Sequence, residues 1–139
     1  MQKIIKDIFF QRISKAIVDI LLIIGLVLVI ASSHFAKESW LSYHCIVSMS
    51  WFALMIVHIG QHWQMTKALI TLQWKALKRN KITFITLIAF ILMAISVILF
   101  MVAVSDKSVH FHHAIASPFR FVIIIHTITK IKQFVACFR

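Results

Sequence analysis

The sequence predicts an all-α integral membrane protein, a four-helix bundle threaded up, down, up and down. Hydrophobic residues make up 61% of the 139 and charged ones only 14%, against about a quarter in a soluble domain. Mean hydropathy is +0.94, and the few charges stand between long uncharged blocks. Those blocks number four, and the cations fall into clusters at their ends.

The first block runs from about Ala16 to Ser33, interrupted only by Asp19. The second spans Ser39 to Thr66, the third Ile82 to Ser105, and the fourth roughly Val109 to Thr129, interrupted by Arg120. A bilayer core about 30 Å thick needs about 20 helical residues, so each block can cross once. Unbroken apolar runs are helices, because barrel strands alternate. A single domain over 1–139 is expected, with helices at roughly 16–35, 40–65, 82–105 and 109–131. The first fifteen residues, MQKIIKDIFFQRISK, alternate apolar and basic character and lack a cleavage site, so they read as an interfacial lead-in and not a signal peptide. The 67–81 connection, KALITLQWKALKRNK, is amphipathic, with Trp74 and its lysines suited to headgroups.

Orientation follows from the cations. Lys3, Lys6, Arg12 and Lys15 precede the first span; Lys67, Lys75, Lys78, Arg79 and Lys81 separate the second and third; Lys130, Lys132 and Arg139 follow the fourth. The other two connections hold Lys37 and Lys107. The positive-inside rule then puts both termini and the middle connection in the cytoplasm of a bacterial inner membrane. The net charge of +11 reflects topology and contact with anionic lipid; split over three membrane-flanking segments, it does not form a nucleic-acid surface. Cys45 and Cys137 make no local disulfide framework, and neither lies in a C-x-x-C-H, which excludes covalent c-type haem.

The chemistry-bearing residues are histidines. His44 and His58 are fourteen apart on the second span, and His112 and His126 are fourteen apart on the fourth. Fourteen residues are nearly four turns, which places both imidazoles of a span on one face about 21 Å apart. The two spans run in the same direction, so the four histidines form two opposed pairs, one per leaflet. A zinc ion would gather three or four ligands at one point. A haem takes two axial ligands across a flat apolar macrocycle, and two bis-histidine haems use all four positions. Ser48, Trp51 and Met55 lie within about 40° of the His44–His58 face. Ser48 is small enough to admit a porphyrin and Trp51 falls midway between the two irons, while Ala116 and Ser117 are the small residues of the fourth span. Arg120, a charge inside an apolar span, needs a partner; a haem propionate is the candidate, and snorkelling to an interface is the alternative.

These spans resemble the small four-helix cytochrome b-type membrane proteins of bacteria, the flavinylation-associated cytochrome family above all, and more distantly the gamma subunits of formate dehydrogenase. The resemblance is carried by VDILLIIGLVL in the first span, HCIVSMSWFALMIVHIGQHW in the second and HHAIASPFRFVIIIH in the fourth. It implies b-type haem iron ligated through His44, His58, His112 and His126, with electron transfer between a quinol and an extracytoplasmic acceptor. Some relatives draw one ligand from the first span, where this chain offers only His34, at the outer end.

Each histidine has a plainer reading. His44 and His112 can be interfacial histidines, and His58 and His126 can be imidazoles satisfied by other polar groups. His113 competes with His112: it lies about 140° away from His126 in a straight helix, but Pro118 can bend the fourth span. His62, one turn from His58, is expected at the inner interface near a propionate or quinone oxygen. His110 and His34 read as solvent-side residues. Asp19 is either a carboxylate at a helix N-terminus or a proton-handling group at a quinone site.

The expected function is a dihaem membrane electron-transfer protein or oxidoreductase subunit, working with quinol or quinone and an extracytoplasmic redox protein such as a flavoprotein, alone or in a larger complex. Without a flavin or dinucleotide fingerprint of its own, the chain needs a second protein or small molecule as its partner. The competing expectation is a small transporter or scaffold subunit whose histidines handle protons or divalent metal; such sites usually sit at the midplane, which these histidines flank.

Overall fold

The computed structural model describes the backbone of residues 2–34, 38–103 and 105–136, with side chains for 13–34, 42–103, 105–131 and Val135. Lys37, Cys137 and Arg139, used in the topology and cysteine readings, lie outside the described residues. Among those residues there are six helices and no strand: α1 Gln2–His34, α2 Glu38–Gln61, α3 Trp63–Ile70, α4 Trp74–Arg79, α5 Lys81–Val102 and α6 Asp106–Ala136. Four stretches are long and apolar enough to cross a membrane, Ile13–His34, Ser42–Gln61, Lys81–Val102 and Asp106–Ile131. The protein is an all-α, multi-pass membrane protein whose spans match the four apolar blocks.

The chain divides into two compact units, residues 1–66 with 134–139, and residues 67–133. In the first, α1 and α2 form an antiparallel hairpin. Gln61 Nε2 donates to Ser14 Oγ at 3.1 Å, Trp51 Nε1 donates to the Leu22 carbonyl at 2.9 Å, and Ser32 Oγ lies 2.9 Å from His44 Nδ1. Partner numbers thus rise on α1 as they fall on α2. The α2 residues in register are His44, Ser48, Trp51, Met55 and His58, alternately four and three apart, which is the seam spacing of left-handed helix pairs. Trp51 and Met55 are buried there, as are Ala16, Val18 and Ser32 of α1. Gly25 lets the helices close on each other: a Cβ on it would lie 2.6 Å from Trp51 Cδ1.

Two boundaries differ from the expected ones. The interfacial lead-in is continuous with the first span, because α1 begins at Gln2. The second span is interrupted once. At His62 the backbone N–H is shared between the His58 and Ile59 carbonyls, both at 3.1 Å, and α3 resumes at Trp63.

In the second unit α3 ends in a Schellman turn. The Leu72 N–H donates to the Leu69 carbonyl and the Gln73 N–H to the Ala68 carbonyl, each at 3.1 Å. Leu72 takes the left-handed conformation (φ 51°) that glycine usually fills. The amphipathic 67–81 connection is therefore partly helical, with Trp74 78% exposed at the start of α4, as suits an interfacial segment. α5 buries Thr86, Phe90 and Ser96. α6 buries Ala116, Phe119 and Ile123, which with His112 and His126 repeat the four-and-three spacing of α2. Pro118 lies inside α6 and removes the hydrogen bond that the Ala114 carbonyl would accept.

Candidate functional site

The first hairpin brings His44 and His58 onto the α2 face that meets α1, and each ring meets a polar group there. Ser32, among the most buried side chains described, is 2.9 Å from His44 Nδ1 and 3.0 Å from the Val29 carbonyl. A hydroxyl has one hydrogen, and a carbonyl can only accept. Both contacts are hydrogen bonds only if Ser32 donates to Val29 and His44 donates its Nδ1–H to Ser32. The neutral imidazole then carries its lone pair on Nε2, where Ser48 Oγ approaches at a long 3.4 Å.

The same device recurs in the second unit. Ser96, wholly buried, donates to the Met93 carbonyl at 2.8 Å and stands 3.2 Å from His112 Nδ1. With the Ser96 hydrogen on Met93, the second contact is a hydrogen bond when His112 carries its proton on Nδ1. The Phe100 ring flanks it at a centroid distance of 6.0 Å. His112 is half-buried, while its neighbour His113 is exposed.

At the other end of α2, His58 Nδ1 lies 2.9 Å from Asp19 Oδ1. This is a contact of charge and distance, because Nδ1 makes no well-aligned hydrogen bond. The carboxylate can only accept, so it too favours the proton on Nδ1. Asp19 is not a helix-terminal carboxylate: α1 begins at Gln2, and the dipole effect fades within the first turn. The His62 ring tilts against His58 at 4.8 Å, and Gln61 stands beside it, its Oε1 buried with no hydrogen-bond partner among the described residues. His126 is half-buried on α6.

The remaining predicted residues have local roles. Trp51 is held by the Leu22 carbonyl and seated over Gly25, so it serves as the central contact of the hairpin. Arg120 donates from Nε to the Ala116 carbonyl of its own helix at 3.3 Å. His34 and His110 are exposed, as is the free thiol Cys45. Among the described residues no three His, Cys, Asp or Glu gather where they could hold a metal ion. Axial ligation of a haem needs only two imidazoles with Nε2 lone pairs, and Nδ1–H groups given to acceptors are the usual second-shell support for ligating histidines. The donor set fits that group.

Ser32 and Ser96 were not distinguishable in the sequence as functional residues. The signal that finds them is symmetry about a connection, since Ser32 and His44 are equally far from residue 38, and Ser96 and His112 from residue 104. Comparison with protein-family models, curated proteins and solved structures gives no match.

Proposed function

We propose that this protein is a dihaem b-type cytochrome of the bacterial inner membrane, with both termini cytoplasmic, passing electrons between a quinol and an extracytoplasmic redox partner. The observation that carries the reading is the polar group that three of the imidazoles meet at Nδ1. His44, His58 and His112 each face an acceptor at Nδ1, which directs the Nε2 lone pair away from the supporting helix. On this reading His44 with His112 hold one haem and His58 with His126 the other, as in the cytochromes these spans resemble. The bound haem supplies one-electron redox chemistry. The chain supplies ligation, spacing and an apolar surround. His62 and Gln61, next to the inner histidine, offer hydrogen-bonding groups to a quinone, and Arg120 offers a cation to a propionate.

Expression with ample haem should give a coloured protein with paired low-spin b-type bands and two acid-acetone-extractable haems per chain by pyridine haemochrome. One haem per chain would remove the inner pair; none would remove the reading. The second reading, a proton- or metal-handling transporter subunit, draws on the Asp19–His58 pair inside an apolar span. A colourless protein that carries zinc would favour it.

A further inference from the structure

The polar groups supporting the histidines differ in charge between the two ends of the spans. At the outer end both are serine hydroxyls, Ser32 and Ser96, each neutral and each committed to a backbone carbonyl. At the inner end His58 faces the carboxylate of Asp19 at 2.9 Å. Of these three groups, Ser32, Ser96 and Asp19, only Asp19 can carry charge.

We propose that Asp19 is a positioning residue that makes the haem at His58 the lower in reduction potential, so that electrons pass from the His58 end of α2 to the His44 end. This rests on the dihaem reading above. Two effects act in the same direction. A carboxylate set against the Nδ1 edge at 2.9 Å makes the imidazole a more basic ligand, and a negative charge nearby favours ferric over ferrous iron, most strongly where water is scarce. Serine stands at the same edge without adding charge. Arg120 does not cancel the difference: it lies between His112 and His126 in sequence, so its charge acts on both sites in the same sense.

The transfer balances simply. A quinol gives up two electrons and two protons at the cytoplasmic end. With haem bound, His58 and His44 would hold the two irons between which each electron passes, one oxidised as the other is reduced, with no bond made or broken. A one-electron acceptor outside then reoxidises the outer site.

The test is a redox titration of the purified full chain in detergent, followed at the visible bands. Two midpoints are expected, and the lower should be the one missing from His126→Ala. Asp19→Asn should raise the lower midpoint and leave the upper in place, Asp19→Glu should keep it close to the parent value, and Ser32→Ala should leave it unmoved. Two bound haems with both midpoints unchanged in Asp19→Asn would overturn the proposal, as would a rise in the upper midpoint alone. Should Asp19→Asn lose a haem, Asp19→Glu decides: both haems at parental potentials support a role for the charge, and loss there too overturns it in favour of side-chain shape. A parent protein without haem would instead remove the reading beneath the proposal.

Discussion

Replacing Gly25 by alanine tests how α1 meets α2 without reference to any cofactor. The added Cβ would stand 2.6 Å from Trp51 Cδ1 and 3.5 Å from Cγ, whereas carbon atoms rest at about 3.5–4.0 Å. The indole must therefore withdraw by about 1 Å. It is only 5% exposed and is tethered by its N–H to the Leu22 carbonyl, so withdrawal also stretches that bond. Overpacking of this kind costs about 1–3 kcal/mol, and the strained hydrogen bond about 1 kcal/mol more. Against this, alanine is the better helix former by about 0.5–1 kcal/mol. The net expectation is destabilisation by about 1–3 kcal/mol. Gly60 is the control, because a Cβ there meets nothing within 4 Å, leaving only the helix gain of about 0.5–1 kcal/mol. The same substitution should then have opposite signs at two positions of one hairpin. Unfolding in mild detergent, followed by helical circular dichroism, measures both. A Gly25→Ala protein as stable as Gly60→Ala would mean that Trp51 does not sit over Gly25.

Two further outcomes follow from the geometry. His112→Ala should lose one haem's low-spin bands while His113→Ala keeps both haems, because only His112 is half-buried against Ser96; visible spectra of the two variants check this, and the reverse result would mean that Pro118 turns α6 differently. Reporter fusions after Arg139 and within residues 67–81 should be cytoplasmic and one near Lys37 exported, on a count of twelve flanking cations against two; an exported C-terminal fusion would exchange the electron entry and exit faces.

The spans were legible because length and apolarity alone decide them. So was the shared face of His44, Ser48, Trp51, Met55 and His58, since helical periodicity fixes which residues align. The identity of the helix that this face meets was not. Trp51 reads from sequence as a residue between two irons, yet its indole reaches the Leu22 backbone, a contact that depends on the rotation of α1 and on the absence of a side chain at Gly25. Of the two readings open for Asp19, the helix-terminal one fails for a different reason. Hydropathy starts the first span at Ala16, which makes Asp19 a first-turn residue, but the amphipathic lead-in is also helical and α1 starts at Gln2. A hydropathy block marks where a helix enters hydrocarbon, and that need not be where the helix begins.

The α2 and α6 faces carry nearly the same register. On α2 it reads histidine, serine, tryptophan, methionine, histidine; on α6 it reads histidine, alanine, phenylalanine, isoleucine, histidine, at identical spacing. Each has a small residue one turn after the first histidine and an aromatic residue midway. Each is preceded by a helix whose buried serine, fastened to its own backbone, stands within hydrogen-bond distance of the first histidine's Nδ1. Lipid exposure explains none of this, because a residue chosen only for hydrocarbon would be neither serine nor histidine. General hydrogen-bond satisfaction explains the serines but not the fourteen-residue interval. A ligand bound by two imidazoles at each of two depths accounts for the interval, the small and aromatic residues between, and the polar groups at Nδ1 together. Within that likeness Asp19, at His58, can carry charge where Ser32 and Ser96 cannot. On the dihaem reading proposed above, a symmetric conduit would have no preferred direction of flow, and a single carboxylate beside His58 would be sufficient to give it one.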